Sequence, residues 1–211
     1  MSVDLLKRYF PELEGDERLD QLAALPALYT EWNAKINVIS RKDIENIYLR
    51  HIIHSLTIAK FIHFKEGADV MDLGTGGGFP GIPLAIYFPE TRFTLIDGTK
   101  KKIHVVNEVS SAVGLRNVKA KQLRAEECKQ KFDFIVTRAV ATVDKLMLWG
   151  ERLIKTKHQH ALPNGIIALK GGDLSKETSL LGDHHYYEYI DLRELIDEEL
   201  FDEKYLMYIQ G

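Results

Sequence analysis

The feature that most constrains this chain is a glycine-dense loop between two apolar segments. Residues 70–81 read VMDLGTGGGFPG, in which Val70–Leu73 is typical of a buried strand and a helical segment follows Pro80. Glycines let the backbone adopt positive φ and approach a ligand closely, and the N–H groups of a helix N-terminus point at that ligand. The loop therefore predicts a strand–loop–helix unit with a small-molecule site. The alternative is a tight turn without a ligand.

The chain after residue 67 alternates short apolar runs with helical segments, which is typical of a parallel sheet with crossover helices. The predicted strands are Val70–Leu73, Phe93–Asp97, Val118–Gln122, Phe132–Val136 and Ile166–Leu169. The predicted helices are Pro83–Tyr87, Lys101–Val113 and Val143–Ile154. Two further strands, Tyr186–Leu192 and Lys204–Ile209, lack a full crossover helix between them. At least one of them is therefore expected to be antiparallel, in a mostly parallel sheet of seven strands.

The first 65 residues carry a helical pattern. Apolar side chains recur every three or four residues from Leu19 to Ile36 and again from Ile44 to Ile62. Pro26 lies inside the first stripe and predicts a kink or a break. We expect residues 1–65 to form a helical extension packed on a Rossmann-like core of residues 66–211.

The residue types in the loop favour S-adenosylmethionine over a dinucleotide. Gly76, Gly78 and Gly81 match the dinucleotide pattern G-x-G-x-x-G. However, Asp72 opens the pattern D-x-G-x-G-x-G through Gly74. A carboxylate suits a ligand with an ammonium and a sulfonium, and Pro80 removes an N–H that a pyrophosphate would use. The sequence therefore predicts a class I S-adenosylmethionine-dependent methyltransferase with an α/β fold.

Three further positions follow later strands of this predicted sheet. Asp97 lies 19 residues after Gly78, where a carboxylate can accept the ribose hydroxyls, although a helix N-cap or turn residue is the alternative. Ala125 and Glu126 are expected at the adenine edge, with a solvated acidic loop as the alternative. Arg138 follows the fourth strand, next to the reacting methyl, unless it forms a surface salt bridge. The N/D-P-P-Y/F motif of many exocyclic-amine methyltransferases is not found at that place.

With these elements together, the chain resembles the glucose-inhibited division protein B family, methyltransferases that make 7-methylguanosine in small-subunit ribosomal RNA. The resemblance covers residues 29–172. It rests on Glu31-Trp32-Asn33, Ile36–Ser40, Leu49–Ile52 with Ser55-Leu56, Asp72–Gly76, Phe79–Leu84, Thr137–Ala139 and Leu169–Gly171. The family often has Asp where this chain has His54.

The resemblance implies cofactor contacts at Gly74, Phe79, Ala125-Glu126 and Arg138. It also implies that guanine nitrogen 7 in 16S ribosomal RNA, free or in the small ribosomal subunit, is the acceptor. That nitrogen holds an in-plane lone pair and no proton, so in-line attack on the methyl needs no general base. Arg138 is therefore expected to orient the reactants.

The RNA-facing element is expected in polar residues of the N-terminal part and in a lysine run. The candidates are Asn33, Asn37, Arg41, Arg50, His51, Lys100, Lys101 and Lys102. Asn33 and Asn37 are four residues apart and are expected to share a helix face. Helix-end hydrogen bonding is the alternative for both asparagines, and a half-buried imidazole is the alternative for His51.

Charge is unevenly distributed, although the net charge is only −3. Residues 173–203 contain 11 acidic and 2 basic side chains, and the rest of the chain contains 20 acidic and 26 basic ones. A basic excess of this kind can bind a polyanion. Ordinary solvated helix faces and loops are the alternative.

Several classes of protein are not favoured. A single cysteine, the lack of a signal-peptide pattern and the lack of a long apolar run predict a cytoplasmic protein without a membrane span. The paired histidines have no accompanying thiols, so no metal site is expected. We expect a monomer. Two other functions remain open: a methyltransferase for a small molecule or a protein, and a non-enzymatic nucleotide- or dinucleotide-binding module.

Overall fold

The protein forms one twisted sheet of seven strands with helices on both faces. The computed structural model describes residues 3–138, 141–179, 181 and 185–211, and of Arg41 and Lys176 only the backbone. The strands are β1 Asp69–Leu73, β2 Arg92–Asp97, β3 Val118–Gln122, β4 Phe134–Arg138, β5 Gly165–Gly171, β6 Tyr187–Asp191 and β7 Lys204–Gln210. Their order is β3-β2-β1-β4-β5-β7-β6.

The first five strands are parallel, whereas β7 pairs antiparallel with both β5 and β6. The predicted seven-stranded, mostly parallel sheet with a terminal antiparallel pair is therefore confirmed. The strand order reverses between β1 and β4. In open α/β sheets, ligands bind in the crevice outside the carboxyl ends of the strands at such a reversal. The topology thus places the candidate site next to the loop after β1.

Nine α-helices accompany the sheet in the described part of the chain. They are α1 Val3–Tyr9, α2 Glu17–Lys35, α3 Arg41–Ile44, α4 His54–Phe61, α5 Gly81–Tyr87, α6 Lys100–Ala112, α7 Val143–Gly150, α8 Ser175–Thr178 and α9 Leu192–Leu195. A π-helical turn, Tyr48–Ile53, runs directly into α4. None of the helices in the described residues is long and apolar enough to cross a membrane.

Helix α2 continues through Pro26, so of the two expected outcomes the break is wrong and the kink stays a prediction. A proline removes one backbone hydrogen bond but fits helical φ. The apolar face of α2 buries Leu22, Leu25 and Tyr29 completely, and this packing holds the helix together across the missing bond.

The core lies on both faces of the sheet because successive strand side chains point to opposite sides. Val70 and Phe134 belong to one apolar cluster, which also contains the buried residues of α1, α2 and α4. Met71 and Ile135 belong to the other, with the buried residues of α7. The N-terminal helices thus share the main core of the protein, and the boundary at residue 65 stays a prediction.

Candidate active site

The loop after β1 is held in shape by a buried carboxylate. Asp72 is completely buried, and its Oδ2 accepts hydrogen bonds from the Thr75 hydroxyl at 2.6 Å and from the Gly81 amide at 2.8 Å. Burial raises the pKa of Asp72 to about 7. The carboxylate therefore connects the first and last parts of the loop through these two hydrogen bonds. Its direct contact with a cofactor stays a prediction.

Two glycines of the loop have no room for a side chain. Gly78 has φ 107°, and a Cβ there would lie 2.5 Å from Ile82 Cδ1 and 2.8 Å from Tyr29 Oη. A Cβ on Gly81 would lie 2.6 Å from Asp72 Oδ2. The N-terminal helices contribute directly to this packing, since the buried Tyr29 hydroxyl donates to the Gly77 carbonyl at 2.6 Å.

Asp97 at the end of β2 joins the glycine loop to the next strand–helix connection. Its Oδ2 accepts from the Gly76 amide at 3.1 Å, and its Oδ1 accepts from the Thr99 amide at 2.8 Å. The second contact is a turn contact and not a helix cap, because the N-cap residue of α6 is Thr99. The carboxylate also borders two cavities, and its contact with a ribose stays a prediction.

The first of these cavities, the strand-end cavity, has a volume of about 250 Å³. It is lined by Leu73, Gly74, Ile96, Asp97, Gly98, Leu123, Arg124, Ala125, Glu126 and Trp149. Its lining combines apolar side chains with two carboxylates, a composition that suits an adenosine. The predicted residues Gly74, Ala125 and Glu126 thus meet at this cavity.

The second, the glycine-loop cavity, has a volume of about 400 Å³. It is lined by Val38, Gly74, Thr75, Gly76, Gly77, Phe79, Asp97, Lys102 and Arg138. Lys102 Nζ lies 3.6 Å from Asp97 Oδ2, so this lysine of the predicted RNA-binding run faces the candidate cofactor site. Lys100 and Lys101 are exposed.

Arg138, at the carboxyl end of β4, is fixed by the N-terminal segment. Its Nη1 donates to the Arg50 carbonyl at 3.1 Å, and its Nη2 lies 2.8 Å from His51 Nδ1. The guanidinium also lies over the Phe79 ring, 5.2 Å from its centroid. Burial lowers the pKa of Arg138 to about 10, which leaves the side chain charged at neutral pH. No salt bridge to this guanidinium occurs among the described residues, although a surface salt bridge was its alternative role.

His51 is neutral in this arrangement. A guanidinium only donates hydrogen bonds, so Nδ1 of His51 accepts and the ring proton is assigned to Nε2. Burial and the charge of Arg138 lower the pKa of His51 to about 3. The π-helical turn presents both the Arg50 carbonyl and the His51 ring to Arg138, which the sequence pattern alone did not indicate.

A third cavity, the outer cavity, lies on the other side of Arg138 and has a volume of about 610 Å³. It is lined by Asp43, Arg50, His51, His54, Arg138, Ala141, Thr142, Leu169, Lys170, Gly171, Glu177 and Lys204. Four of these side chains are cations and two are carboxylates. Arg138 borders both this cavity and the glycine-loop cavity, so it stands at their junction.

His54 is buried, and burial lowers its pKa well below the usual value. Its ring packs edge-on against Phe201, with centroids 5.6 Å apart. The position where the resembling family often has Asp is therefore occupied here by a neutral ring at the wall of the outer cavity.

The two asparagines do not share a helix face, because α2 ends at Lys35 and Asn37 lies in the following loop. The Asn33 side chain explains this end: its Oδ1 accepts from the amides of Val38 and Ile39, and its Nδ2 donates to the Ile39 carbonyl at 2.9 Å. Asn33 thus has the helix-end role that was its alternative. Asn37 is exposed.

Two predicted positions lie outside the described residues: the side chain of Arg41, and Ala139 in the stretch after β4. Among the residues that the structure does describe, no group of three or more His, Cys, Asp or Glu side chains is placed to hold a metal ion.

Sequence reasoning missed Tyr29 and several residues of the outer cavity. Tyr29 lies on an apolar helix face, where an aromatic residue looks like ordinary core. Asp43, Lys170, Glu177 and Lys204 come from segments far apart in sequence, so no local pattern indicated that they meet.

The strand order, the glycine loop and the cavities at the strand ends define a class I S-adenosylmethionine-dependent methyltransferase. A ribosomal protein L11 methylase from Lactobacillus delbrueckii subsp. bulgaricus shares the fold, with a TM-score of 0.57 over 74% of this chain and 76% of that one at 14% identity.

Sequence comparison identifies the family. The family model described as rRNA small subunit methyltransferase G (GidB) matches residues 18–194. The ribosomal RNA small subunit methyltransferase G of Bacteroides fragilis strain YCH46 is 53% identical over 208 residues, 99% of this chain and 92% of the relative. That of Flavobacterium johnsoniae is 52% identical over 207 residues, 98% of this chain and 97% of the relative. The chain therefore belongs to this methyltransferase family, which confirms the resemblance and disfavours a non-enzymatic nucleotide-binding module.

Proposed function

We propose that the protein transfers the methyl group of S-adenosylmethionine to nitrogen 7 of a guanine in 16S ribosomal RNA. The observation that carries the proposal is the position of Arg138 between two cavities. One is formed by the glycine loop after β1, and the other is a cationic cavity that opens from the N-terminal segment and the end of β5. A cofactor on one side of Arg138 and a nucleotide on the other would meet at this residue.

The proposed binding mode assigns each part of the cofactor to chemistry that suits it. The adenosine occupies the strand-end cavity, with its ribose hydroxyls on Asp97 and its base next to Ala125 and Glu126. The methionine part lies along the glycine loop. The methyl group then points past Phe79 and Arg138 toward the outer cavity.

The proposed acceptor site has the size and charge of a nucleotide site. Small-molecule sites typically enclose about 300–1,000 Å³, and the outer cavity lies in that range at about 610 Å³. An enzyme that modifies a base takes it out of the stack or acts on an unpaired nucleotide. The cations of the cavity supply partners for the phosphate of that nucleotide.

The chemistry requires alignment more than proton transfer. Nitrogen 7 attacks the methyl carbon with its lone pair, the carbon–sulfur bond breaks, and the positive charge passes from the sulfonium to the purine. No proton leaves the nucleophile, so no general base is needed. Holding nucleophile, carbon and sulfur in line is worth up to about 7–11 kcal/mol. Arg138 contributes by orienting the reactants, and two of its five N–H donors are already used by Arg50 and His51.

The test is chemical mapping of 16S ribosomal RNA from a strain without this gene. Borohydride and aniline cleave RNA at 7-methylguanosine, so one cleavage site should disappear and return when the wild-type gene is restored. The Arg138→Ala gene should restore the site poorly although its product stays folded. An unchanged cleavage pattern in the deletion strain would refute the proposed acceptor.

A further inference from the structure

The outer cavity is lined by two carboxylates, and their surroundings differ. On the proposed function, this cavity receives the target guanine. Its two carboxylates are Asp43 and Glu177. Glu177 is engaged, because its Oε2 lies 2.6 Å from Lys170 Nζ and that ammonium also donates to the Ala141 carbonyl at 2.5 Å. The Lys170 side chain is only 7% exposed, so this pair is part of the cavity wall.

Asp43 is held much more loosely. Its Oδ2 accepts from the Ser40 hydroxyl at 2.7 Å, and its Oδ1 lies 3.3 Å from Arg50 Nη1. The Asp43 and Arg50 side chains are 31% and 44% exposed. An ion pair with this exposure contributes at most about 1 kcal/mol, so a ligand can replace Arg50 at Oδ1 with little loss.

We propose that Asp43 selects guanine by accepting hydrogen bonds from N1–H and the 2-amino group of the target base. Guanine presents these two donors side by side, and a carboxylate presents acceptors only. Adenine has a lone pair at N1, which would face the lone pairs of the carboxylate. With adenine, the carboxylate would lose its water and gain no hydrogen bond from N1. This uncompensated desolvation penalty discriminates between the two bases more strongly than the hydrogen bonds gained with guanine.

The same contact suits the methyl transfer. N1 and the 2-amino group lie on the edge of the purine opposite nitrogen 7, so binding by Asp43 leaves the nucleophile free to face Arg138 and the glycine loop. The purine gains a positive charge in the reaction, and the four cations of the outer cavity disfavour that charge. The negative charge of Asp43 lies in the same cavity and offsets part of this repulsion.

The experiment measures how strongly the enzyme distinguishes guanosine from inosine, which lacks only the 2-amino group. The substrate is the small subunit from the deletion strain, rebuilt with either nucleoside at the guanosine mapped by aniline cleavage. Wild-type enzyme should prefer guanosine by about tenfold or more in kcat/KM, the usual effect of a hydrogen bond to a charged group. In Asp43→Asn the preference should fall to within about threefold, because one acceptor and the charge are lost while the amide oxygen still accepts from Ser40.

The matched control is Glu177→Gln, the same chemical change at the other carboxylate of the cavity, which should keep the wild-type guanosine preference. Each preference is a ratio within one variant, so a loss of folded protein cancels. The affinity for S-adenosylmethionine, measured by calorimetry, should be the same in Asp43→Asn and wild type. An Asp43→Asn enzyme with the wild-type preference would overturn the assignment of Asp43 alone. A wild-type enzyme that methylates neither substrate would overturn the proposed function as well.

Discussion

At the scale of single residues, the site depends on charges whose protonation is set by burial. Arg138 keeps its charge, His51 remains neutral beside it, and Asp72 is shifted toward its neutral form by complete burial. These three side chains come from β4, the π-helical turn and β1. Burial therefore decides the charge of His51 and Asp72, whereas Arg138 keeps its charge because the ordinary pKa of a guanidinium is high.

Asp72 makes a testable contribution to stability. Its pKa is 3.8 in the unfolded chain and about 7 in the folded one, so between these values only the folded state binds the proton. Stability is then expected to fall as the pH rises from about 4 to about 7, by at most about 4 kcal/mol. Asp72→Asn keeps an acceptor for Thr75 and Gly81 without the charge. Its melting temperature should exceed that of wild type at pH 8, with a smaller difference at pH 5.

Thermal unfolding monitored by circular dichroism at the two pH values measures this difference. Asp97→Asn is a useful control, because Asp97 accepts from backbone amides of the same region but borders two cavities instead of being completely buried. A difference between Asp72→Asn and wild type that is equal at both pH values would contradict the argument.

At the scale of secondary-structure elements, a cluster of charges ties the amino ends of β1 and β4 together, far from the cofactor site. Lys155 Nζ lies 2.6 Å from Asp69 Oδ2 and 2.9 Å from Asp133 Oδ2, and Asp133 is completely buried. Asp69 also binds Arg92, whose side chain is 60% exposed. Removal of Lys155 would therefore leave a buried carboxylate without its cation, whereas removal of Arg92 would take away only an exposed partner.

Lys155→Met should destabilise the protein by about 3–5 kcal/mol, since it leaves the buried carboxylate of Asp133 without its cation. Arg92→Met removes an exposed partner and should cost about 1 kcal/mol or less. Urea denaturation of the two variants gives the comparison. Equal losses of stability in the two variants would show that Asp133 does not need Lys155.

The same cluster affects the pH dependence of stability. Arg92, with Lys155, lowers the pKa of Asp69. The stability that Asp69 contributes is therefore present above pH 3.8 and is lost as the pH falls through its lower folded pKa.

At the scale of the whole molecule, the charge is separated along the sheet. The acidic segment of residues 173–203 includes β6, one edge strand, and α9. The other edge strand, β3, carries Lys119 and Lys121, and Lys100 and Lys101 begin α6, which packs on β2 and β3. The glycine loop and Arg138 lie between these two ends, at β1 and β4, and the outer cavity extends from Arg138 to β5 and the start of β7. A polyanion is therefore expected to approach from the β3 end.

Lys101→Glu should weaken the binding of 16S ribosomal RNA, because exposed lysines at this end would meet phosphates. Each lost phosphate contact should reduce the slope of log affinity against log salt by about 1. Affinity for S-adenosylmethionine should be unchanged. Binding measured over a range of salt concentrations tests this expectation.

The control is Lys7→Glu, the same charge change on α1, which contacts the acidic segment through Arg8 and Glu198 at 3.4 Å. It should leave RNA affinity nearly unchanged. Equal losses in the two variants would mean that net charge alone, and not its position, governs RNA binding.

The sequence by itself determined the sheet, the glycine loop and the family. Strand and helix periodicity is local, and positive φ with close packing at positions such as Gly78 permits only glycine, so both leave a mark in a short window of residues. Tertiary structure alone decided how the site is completed. The hydrogen bond from Arg138 to His51 joins residues 87 apart, and Asp43 and Lys204 line one cavity although 161 residues separate them in sequence. Burial likewise sets the charge of Asp72 and His51, and burial is a property of the folded protein rather than of any sequence pattern.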